Sequence, residues 1–217
     1  MIIQKTITGS LLDLTKNQGE AEIINKFVAD PFIKELIKIW EEGVQNNRPS
    51  LPMTIIGGAV IDIMEGRTPK DYDIIHGSNG ENKLLEKAGY EFKYKTKFAT
   101  TYEGKNVIQL INRPTTTFDY TISLSSLSLV RRIRYCNEDK KYDLFDINAT
   151  LTYDEVSFNR KVLIPQSFTD VSMVLNSLKR VPHYIKKGYY IPDNTYLSLL
   201  SVLADHKNII QSHPIHS

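Results

Sequence analysis

Two aspartates one residue apart, Asp71 and Asp73, carry the chemistry this chain is equipped for. In an extended strand residues i and i+2 share a face. Asp71 and Asp73 therefore present two carboxylates side by side, while Tyr72 and Ile74 point away. Carboxylates so placed repel each other, and a bound divalent cation removes that cost. Oxygen ligands suit Mg²⁺ (or Mn²⁺), which keeps waters and takes further ligands from substrate phosphates. Upstream, Gly57-Gly58 follows a short apolar run and opens a short helical segment. Glycine lets backbone N–H groups approach phosphate oxygens with no Cβ in the way. The helix that begins at Ala59 adds its positive N-terminal end. Arg67 and Lys70 stand just before the aspartate pair, where they can screen it or touch phosphates. Transfer of a nucleotidyl group from a triphosphate to a hydroxyl needs a grip on the triphosphate, charge neutralisation and alignment of the attacking oxygen, and two metals on shared carboxylates supply the last two. A third carboxylate is usual in such sites. Asp119 is the best candidate, on an expected strand Phe118–Leu124 with Phe118 and Tyr120 turned to the other side; Asp62, Asp143 and Asp146 are weaker ones. A Gly-Gly or an Asp-x-Asp alone is ordinarily a turn or a solvated strand edge; their order and context carry the reading.

The elements that must hold these residues can be read from hydrophobic periodicity. Residues 20 to 46 read as helix, with Ile23, Ile24, Phe27 and Val28, then Phe32, Leu36, Ile37 and Trp40, at helical spacing. Asp30-Pro31 marks a break, with Asp30 as N-cap of the second helix. Met53–Ile56 reads as a strand, Ala59–Glu65 as a helix stopped at Gly66, and Tyr72–Ile75 as a second strand. Leu84–Ala88 is helical and closes at Gly89. Phe92, Tyr94 and Phe98 alternate with Lys93, Lys95 and Lys97 in a hairpin that turns at Glu103-Gly104-Lys105 into the strand Val107–Ile111. Beyond residue 125, Tyr142–Ile147 and Val162–Ile164 are extended, Val171–Ile185 is an amphipathic helix and Thr195–Ile209 a closing one. The expected organisation is an N-terminal helical segment (1–50), a mixed α/β core (51–165) and a small helical C-terminal region (166–217).

The 217 residues carry 27 basic and 25 acidic side chains, net +2, with 41% hydrophobic residues. A packed core is expected and disorder is not. So even a balance names no partner; a nucleic-acid surface has to be local. The single cysteine, Cys136, excludes an internal disulfide and points to a reducing compartment, with a small buried hydrophobe as its plainest role. No apolar run spans a bilayer and Met1–Leu12 lacks the core of a secretion signal, so the expectation is a cytoplasmic protein without a membrane partner. Lys179, His183, Lys186 and Lys187 follow one helical face. Lys93, Lys95 and Lys97 form a strand ladder and Arg131, Arg132 and Arg134 a third cluster. With Tyr184, Tyr189 and Tyr190 nearby, such faces suit an RNA backbone and stacked bases, although lysines also guard sheet edges. The histidines, His76 included, show no metal-ligand spacing.

The run Gly57-Gly58-Ala59-Val60-x-Asp62 through Gly66-Arg67-x-x-Lys70-Asp71-x-Asp73-Ile74 resembles the head-domain signature of CCA-adding enzymes and bacterial poly(A) polymerases, in the DNA polymerase β nucleotidyltransferase superfamily. Phe118–Ser123 looks like that family's later Asp-aromatic-Thr-Ile-Asn segment. Leu178–Val181 through Gly188-Tyr189 is similar in character to its arginine-bearing helix. The resemblance covers roughly residues 52 to 192. It implies an α+β, polymerase β-like mixed sheet flanked by helices, with Asp71, Asp73 and Asp119 as catalytic metal ligands. Gly57 and Gly58 would hold the triphosphate of ATP or CTP, with Arg67 and Lys70 nearby. The family carries arginine where this chain has Ile61, and two arginines where it has Thr117-Phe118, so Arg113 or Arg180 is expected to substitute in triphosphate binding. The chain is also shorter than tRNA-finishing members, which favours a minimal, divergent nucleotidyltransferase of the sort that phage or mobile-element genomes carry. Three functions follow. The first is transfer of NMP to an RNA 3′ end (tRNA-like). The second is transfer to a protein or small molecule. The third is a catalytically inactive fold kept as a binding module.

Overall fold

The computed structural model describes residues 3–13, 21–44, 53–75, 81–111, 120–138, 141–166 and 171–205. The chain is α+β and divides into two compact units. The larger, residues 5–115 and 125–153, is built on an eight-stranded sheet. Its strands are β1 (Gln4–Ser10), β2 (Met53–Ile56), β3 (Asp71–Ile75), β4 (Glu91–Lys95), β5 (Ala99–Glu103), β6 (Val107–Ile111), β7 (Ser126–Cys136) and β8 (Lys141–Asp154). They lie in the order β1-β8-β7-β2-β3-β6-β5-β4. β3 and β6 are parallel; the other registers from β4 to β8 are antiparallel. Helices α1 (Ala21–Ala29), α2 (Pro31–Val44), α3 (Gly58–Met64) and α4 (Glu81–Lys87) complete this unit. The smaller unit, residues 1–4, 116–124 and 154–217, holds a 3-10 turn (Thr121–Leu124) and helices α5 (Glu155–Arg160), α6 (Val171–Lys186) and α7 (Asp193–Asp205). No described helix is long and apolar enough to cross a membrane.

Alternation along the central strands sorts the sheet into a core face and a polar face. Tyr72 and Ile74 on β3, Ile108 and Leu110 on β6, Ile55 on β2, and Leu127 and Leu129 on β7 are all buried. The residues between them are partly exposed. On the core side, Phe32 from α2 packs its ring 4.2 Å from that of Tyr72. The Tyr72 hydroxyl donates to both Asp30 oxygens, at 3.2 and 3.1 Å. Asp30 is also the N-cap expected from Asp-Pro: Ile33 N–H donates to its Oδ1 at 3.0 Å and Lys34 N–H to its carbonyl at 3.1 Å. One buried carboxylate thus starts α2 and pins the beginning of β3.

One expected strand does not form. Of Phe118–Leu124, residues 118 and 119 lie outside the described residues, and residues 120–124 make a single bridge, Tyr120 to Pro165, followed by the 3-10 turn. The reason is burial on every side. Tyr120, Thr121, Ile122 and Ser123 are all buried in succession, which a strand with alternating faces does not allow in a one-sided layer. Ser123 Oγ folds back onto the Tyr120 carbonyl at 2.5 Å, Thr121 Oγ1 meets Ser157 Oγ at 2.8 Å, and the Tyr120 hydroxyl donates to the Ser177 carbonyl at 3.1 Å. Local side-chain bonds of this kind compete with a sheet ladder. Conversely, β1, β5 and β7 are strands that periodicity left unassigned, and Tyr142–Ile147 is part of the much longer β8. Val162 is a single bridge residue, opposite Tyr190.

Burial drives the Asp30 carboxyl above the ordinary carboxylate value of 3.8, against the pull of the Ile33 N–H, the Tyr72 hydroxyl, the Phe32 N–H and Lys34. The native state therefore binds this proton more tightly than the unfolded chain does. That contribution is full below the unfolded value and is lost as pH rises through the folded one. Asp30→Asn keeps a capping oxygen and removes the charge. Urea titrations across the mildly acidic range are expected to show the variant gaining stability relative to wild type as pH rises, and a pH-independent difference would refute this.

Candidate functional site

β2 ends at Ile56, and the chain turns at Gly57 into α3. Gly57 holds φ 70° and ψ −131°, a backbone state closed to side chains with a Cβ. Its N–H donates to the Ser125 carbonyl at 2.8 Å, which ties the turn to the start of β7. Gly58 is the first residue of α3, exposed and without a positive φ. The two glycines therefore differ in kind. Gly57 is demanded by the fold, whereas Gly58 leaves open backbone at the turn. α3 has only seven residues, buried from Ala59 to Met64. Ile61 is one of them, 2% exposed, so this position points no polar group outward.

α3 closes in a Schellman cap. Gly66 at φ 74° donates its N–H to the Ile63 carbonyl at 3.0 Å, and Arg67 N–H donates to the Asp62 carbonyl at 2.7 Å. Lys26 Nζ from α1 donates to the Met64 carbonyl at 2.8 Å. The cap folds Arg67 back over the helix, and its guanidinium binds Asp62 twice at 2.9 Å and also Glu65. Arg67 thus braces the turn leading into β3, and its side chain remains 37% exposed. Asp62 and Asp146 are committed elsewhere: Asp62 to Arg67, and Asp146 to Ser10 Oγ at 2.5 Å and to its own chain at Ile147 N–H. Asp143 stands on the outer part of β8, paired in register with Arg134.

Asp71 and Asp73 lie on the same face of β3, both partly exposed, with Lys70 exposed just before them. Strand geometry sets their Cα atoms roughly 7 Å apart. Asp73 pairs with Ile56 on β2 and Gln109 on β6, so the Gly57 turn and the carboxylate pair meet at one end of the sheet. The row continues through Thr101 to Tyr94 on one side, and through Ser126 to Thr152 on the other. A bulge between Phe92 and Tyr94 turns Tyr94, 54% exposed, onto this face. Gln109 is a site neighbour that periodicity missed, and Tyr94 lies on the same face three strands from Asp73. Gln109 was signalled as the lone polar residue in Val107–Ile111; the bulge that reorients Tyr94 leaves no mark in the sequence.

Of the other expected site residues, Asp119 and Arg113 lie outside the described residues, as does His76. Arg180 is exposed on α6, in the smaller unit. Among the described residues no group of three His, Cys, Asp or Glu could enclose a metal. Two carboxylates on one partly exposed strand face are nonetheless the donor set that Mg²⁺ uses when it retains waters and takes its remaining ligands from phosphates. The residues present fit such an ion.

No family model matches the chain, and no curated protein does. Among solved structures, a CCA-adding enzyme in complex with ATP aligns with a TM-score of 0.50 at 17% identity, over 93% of this chain and 47% of that one. The Thermotoga maritima CCA-adding enzyme complexed with tRNA gives 0.49 at 17% identity, over 92% and 46%. A tRNA nucleotidyltransferase complexed with a primer tRNA and an incoming ATP analog gives 0.47 at 17%, over 70% and 47%. This chain therefore spans less than half the length of these proteins. At such identity the likeness is one of fold, and the fold is nucleotidyltransferase-like.

The contrast between the glycines is measurable. Gly57→Ala forces a Cβ into a glycine-only conformation and is expected to cost about 1–3 kcal/mol. Gly58→Ala places a better helix former at an exposed position and is expected to be neutral or slightly stabilising. Urea unfolding of both variants checks this; equal losses would remove the distinction.

Proposed function

We propose that this chain is a divalent-metal-dependent nucleotidyltransferase that moves NMP from ATP or CTP to an acceptor hydroxyl, with an RNA 3′ end as the acceptor. One observation carries the reading: the Asp71/Asp73 pair shares a sheet end with the Gly57-Gly58 turn through the Ile56–Asp73 register. The nucleotidyltransferase-like fold supports it.

In this reading Asp71 and Asp73 hold the cation, with Asp119 as the third carboxylate. Gly58 exposes backbone N–H for the triphosphate, and Lys70 answers its charge, as do Arg113 and Arg180. Arg67 acts mainly through Asp62 and Glu65, by fixing the turn that aims β3. When bound, the cation supplies charge neutralisation on the phosphates and Lewis-acid activation of the hydroxyl. The acceptor oxygen bonds to the α-phosphorus as the bond to pyrophosphate breaks, and the hydroxyl proton passes to solvent. A second reading, a nucleotidyltransferase-like binding module without activity, draws on Ile61, whose burial in α3 leaves no cation at that position.

Incubation with Mg²⁺, each α-labelled NTP in turn, and total RNA or lysate separates these readings. Label is expected in RNA, and label in protein or a small molecule instead would redirect the acceptor. Asp71→Asn and Asp73→Asn lie on a partly exposed strand face, are nearly isosteric and should fold normally. Each is expected to lower transfer by roughly 10³-fold, the effect of several kcal/mol of lost transition-state stabilisation. Gly58→Ala is expected to weaken NTP binding without loss of stability. If wild type transfers no label and Asp73→Asn binds NTP as wild type does, the enzyme reading fails and the binding module stands.

A further inference from the structure

The strand β6 reads Val107-Ile108-Gln109-Leu110-Ile111, branched apolar residues around one amide. Ile108 and Leu110 face the core, while Val107, Gln109 and Ile111 lie half-buried on the face that carries Asp71 and Asp73. A polar group in such a place costs free energy unless a partner answers it. The register names the neighbours. Gln109 stands level with Asp73 on β3 to one side and with Thr101 on β5 to the other. Neighbouring strands lie about 4.8 Å apart, a gap that the two methylenes of a glutamine can span. Asp71 has Val107 at the corresponding place, and Asp73 has Ile56 on its β2 side. Within the registers of β2, β3 and β6, Gln109 is therefore the one polar side chain level with either aspartate.

An amide carries an accepting oxygen and a donating nitrogen on opposite arms of one planar group. An ionised Asp73 only accepts, whereas the Thr101 hydroxyl both donates and accepts. Gln109 therefore has partners between them in either orientation. With Nε2 toward β3 it donates to the Asp73 carboxylate, and its Oε1 accepts from Thr101. Turned over, Nε2 donates to Thr101 Oγ1, and Oε1 joins the carboxylate oxygens in facing a cation. Thr101 is 4% exposed, so its hydroxyl has little water to turn to instead. Carbonyl oxygens suit Mg²⁺ and Mn²⁺ as carboxylates do. A neutral oxygen adds a ligand without adding to the repulsion within the aspartate pair. No group of three His, Cys, Asp or Glu forms among the described residues; the third oxygen that the sheet brings level with the pair belongs to an amide.

We propose that Gln109, through Oε1, is a further protein ligand of the divalent cation held by Asp71 and Asp73. This deepens the nucleotidyl-transfer reading and rests on it for the cation; the placement of the amide rests on the sheet register.

The test is Mn²⁺ binding to the full chain, read by electron paramagnetic resonance of the free ion without NTP or RNA, beside urea unfolding in metal-free buffer. Gln109→Leu nearly keeps the volume and removes the oxygen. It is expected to weaken Mn²⁺ binding roughly tenfold, the lower end of what a metal site loses with a supporting group. Gln109→Glu keeps the shape and supplies a charged oxygen, and is expected to tighten binding roughly tenfold or more. The control Ser128→Glu adds the same charge to the same face two strands from β3, and is expected to change binding less than about threefold, because charges at that distance are screened. Gln109→Leu that binds Mn²⁺ as wild type does overturns the proposal; if it also unfolds more easily, the amide is only a structural tie between strands. Equal tightening by Ser128→Glu reduces the Gln109→Glu effect to the general field of the sheet and overturns it too. Asp73→Asn is expected to abolish binding, and Mn²⁺ retained in that variant condemns the cation site of the nucleotidyl-transfer reading. Loss in Asp73→Asn with none in Gln109→Leu condemns only the role of Gln109. The expected order of Mn²⁺ affinities, with no label passed to any acceptor, condemns only nucleotidyl transfer.

Discussion

The hydrogen bond between the Tyr72 hydroxyl and the Asp30 carboxylate is the constraint on which the larger unit turns. β3 has a period of two, so anything that fixes Tyr72 inward fixes Asp71 and Asp73 outward. Tyr72 is 1% exposed and Asp30 7%, and neither polar group has an easy exchange with water. Leaving such a buried group without its partner costs roughly 1–3 kcal/mol. A slip of β3 by one residue would strip Asp30 of its Tyr72 partner while driving two carboxylates into the apolar core. The register is therefore held from both sides. The same carboxylate starts α2, and α2 carries the Phe32 ring that covers Tyr72. Helix start, ring packing and strand register are one cooperative arrangement, distinct from the face where chemistry would take place.

A second arrangement aims the chain between β2 and β3. Gly57 admits a turn that no other residue adopts without strain, and Gly66 ends α3 one short helix later. Between them α3 is buried along nearly its whole length, so it cannot rotate to expose a different face. Arg67 closes the arrangement by binding Asp62 and Glu65 as the chain heads for β3. A guanidinium that reads in the sequence as a phosphate ligand is thus, in the fold, largely a brace. Both roles fit a motif of this spacing, because the turn has to be held before it can hold anything else.

The candidate site shows how much of this was legible in the residues. The strand at Met53–Ile56, the short helix after Gly57, the strand bearing the aspartate pair and the Asp30 N-cap all follow from local rules: periodicity, glycine at a cap, aspartate before proline. β1, β5 and β7 did not stand out. Ala99-Thr100-Thr101-Tyr102 is buried on both faces and shows no alternation. Ser126-Leu127-Ser128-Leu129 does alternate, but over too few residues to separate from its arginine-rich continuation. Tyr120–Leu124 looked like a strand because its apolar residues alternate. Burial from all sides and hydroxyls bonding back to their own backbone bent it into a 3-10 turn instead.

The sequence by itself determined which residues are chemically able to act and that Asp71 and Asp73 must share a face, because strand geometry is local and independent of partners. Only the tertiary structure decided what lies next to what: that Asp73 stands level with Ile56 and Gln109, that Tyr94 joins the same face through a bulge, and that Ile61 is core. These depend on contacts between segments far apart in the chain, made when apolar surface is buried and each buried polar group finds its partner. No short-range pattern encodes them.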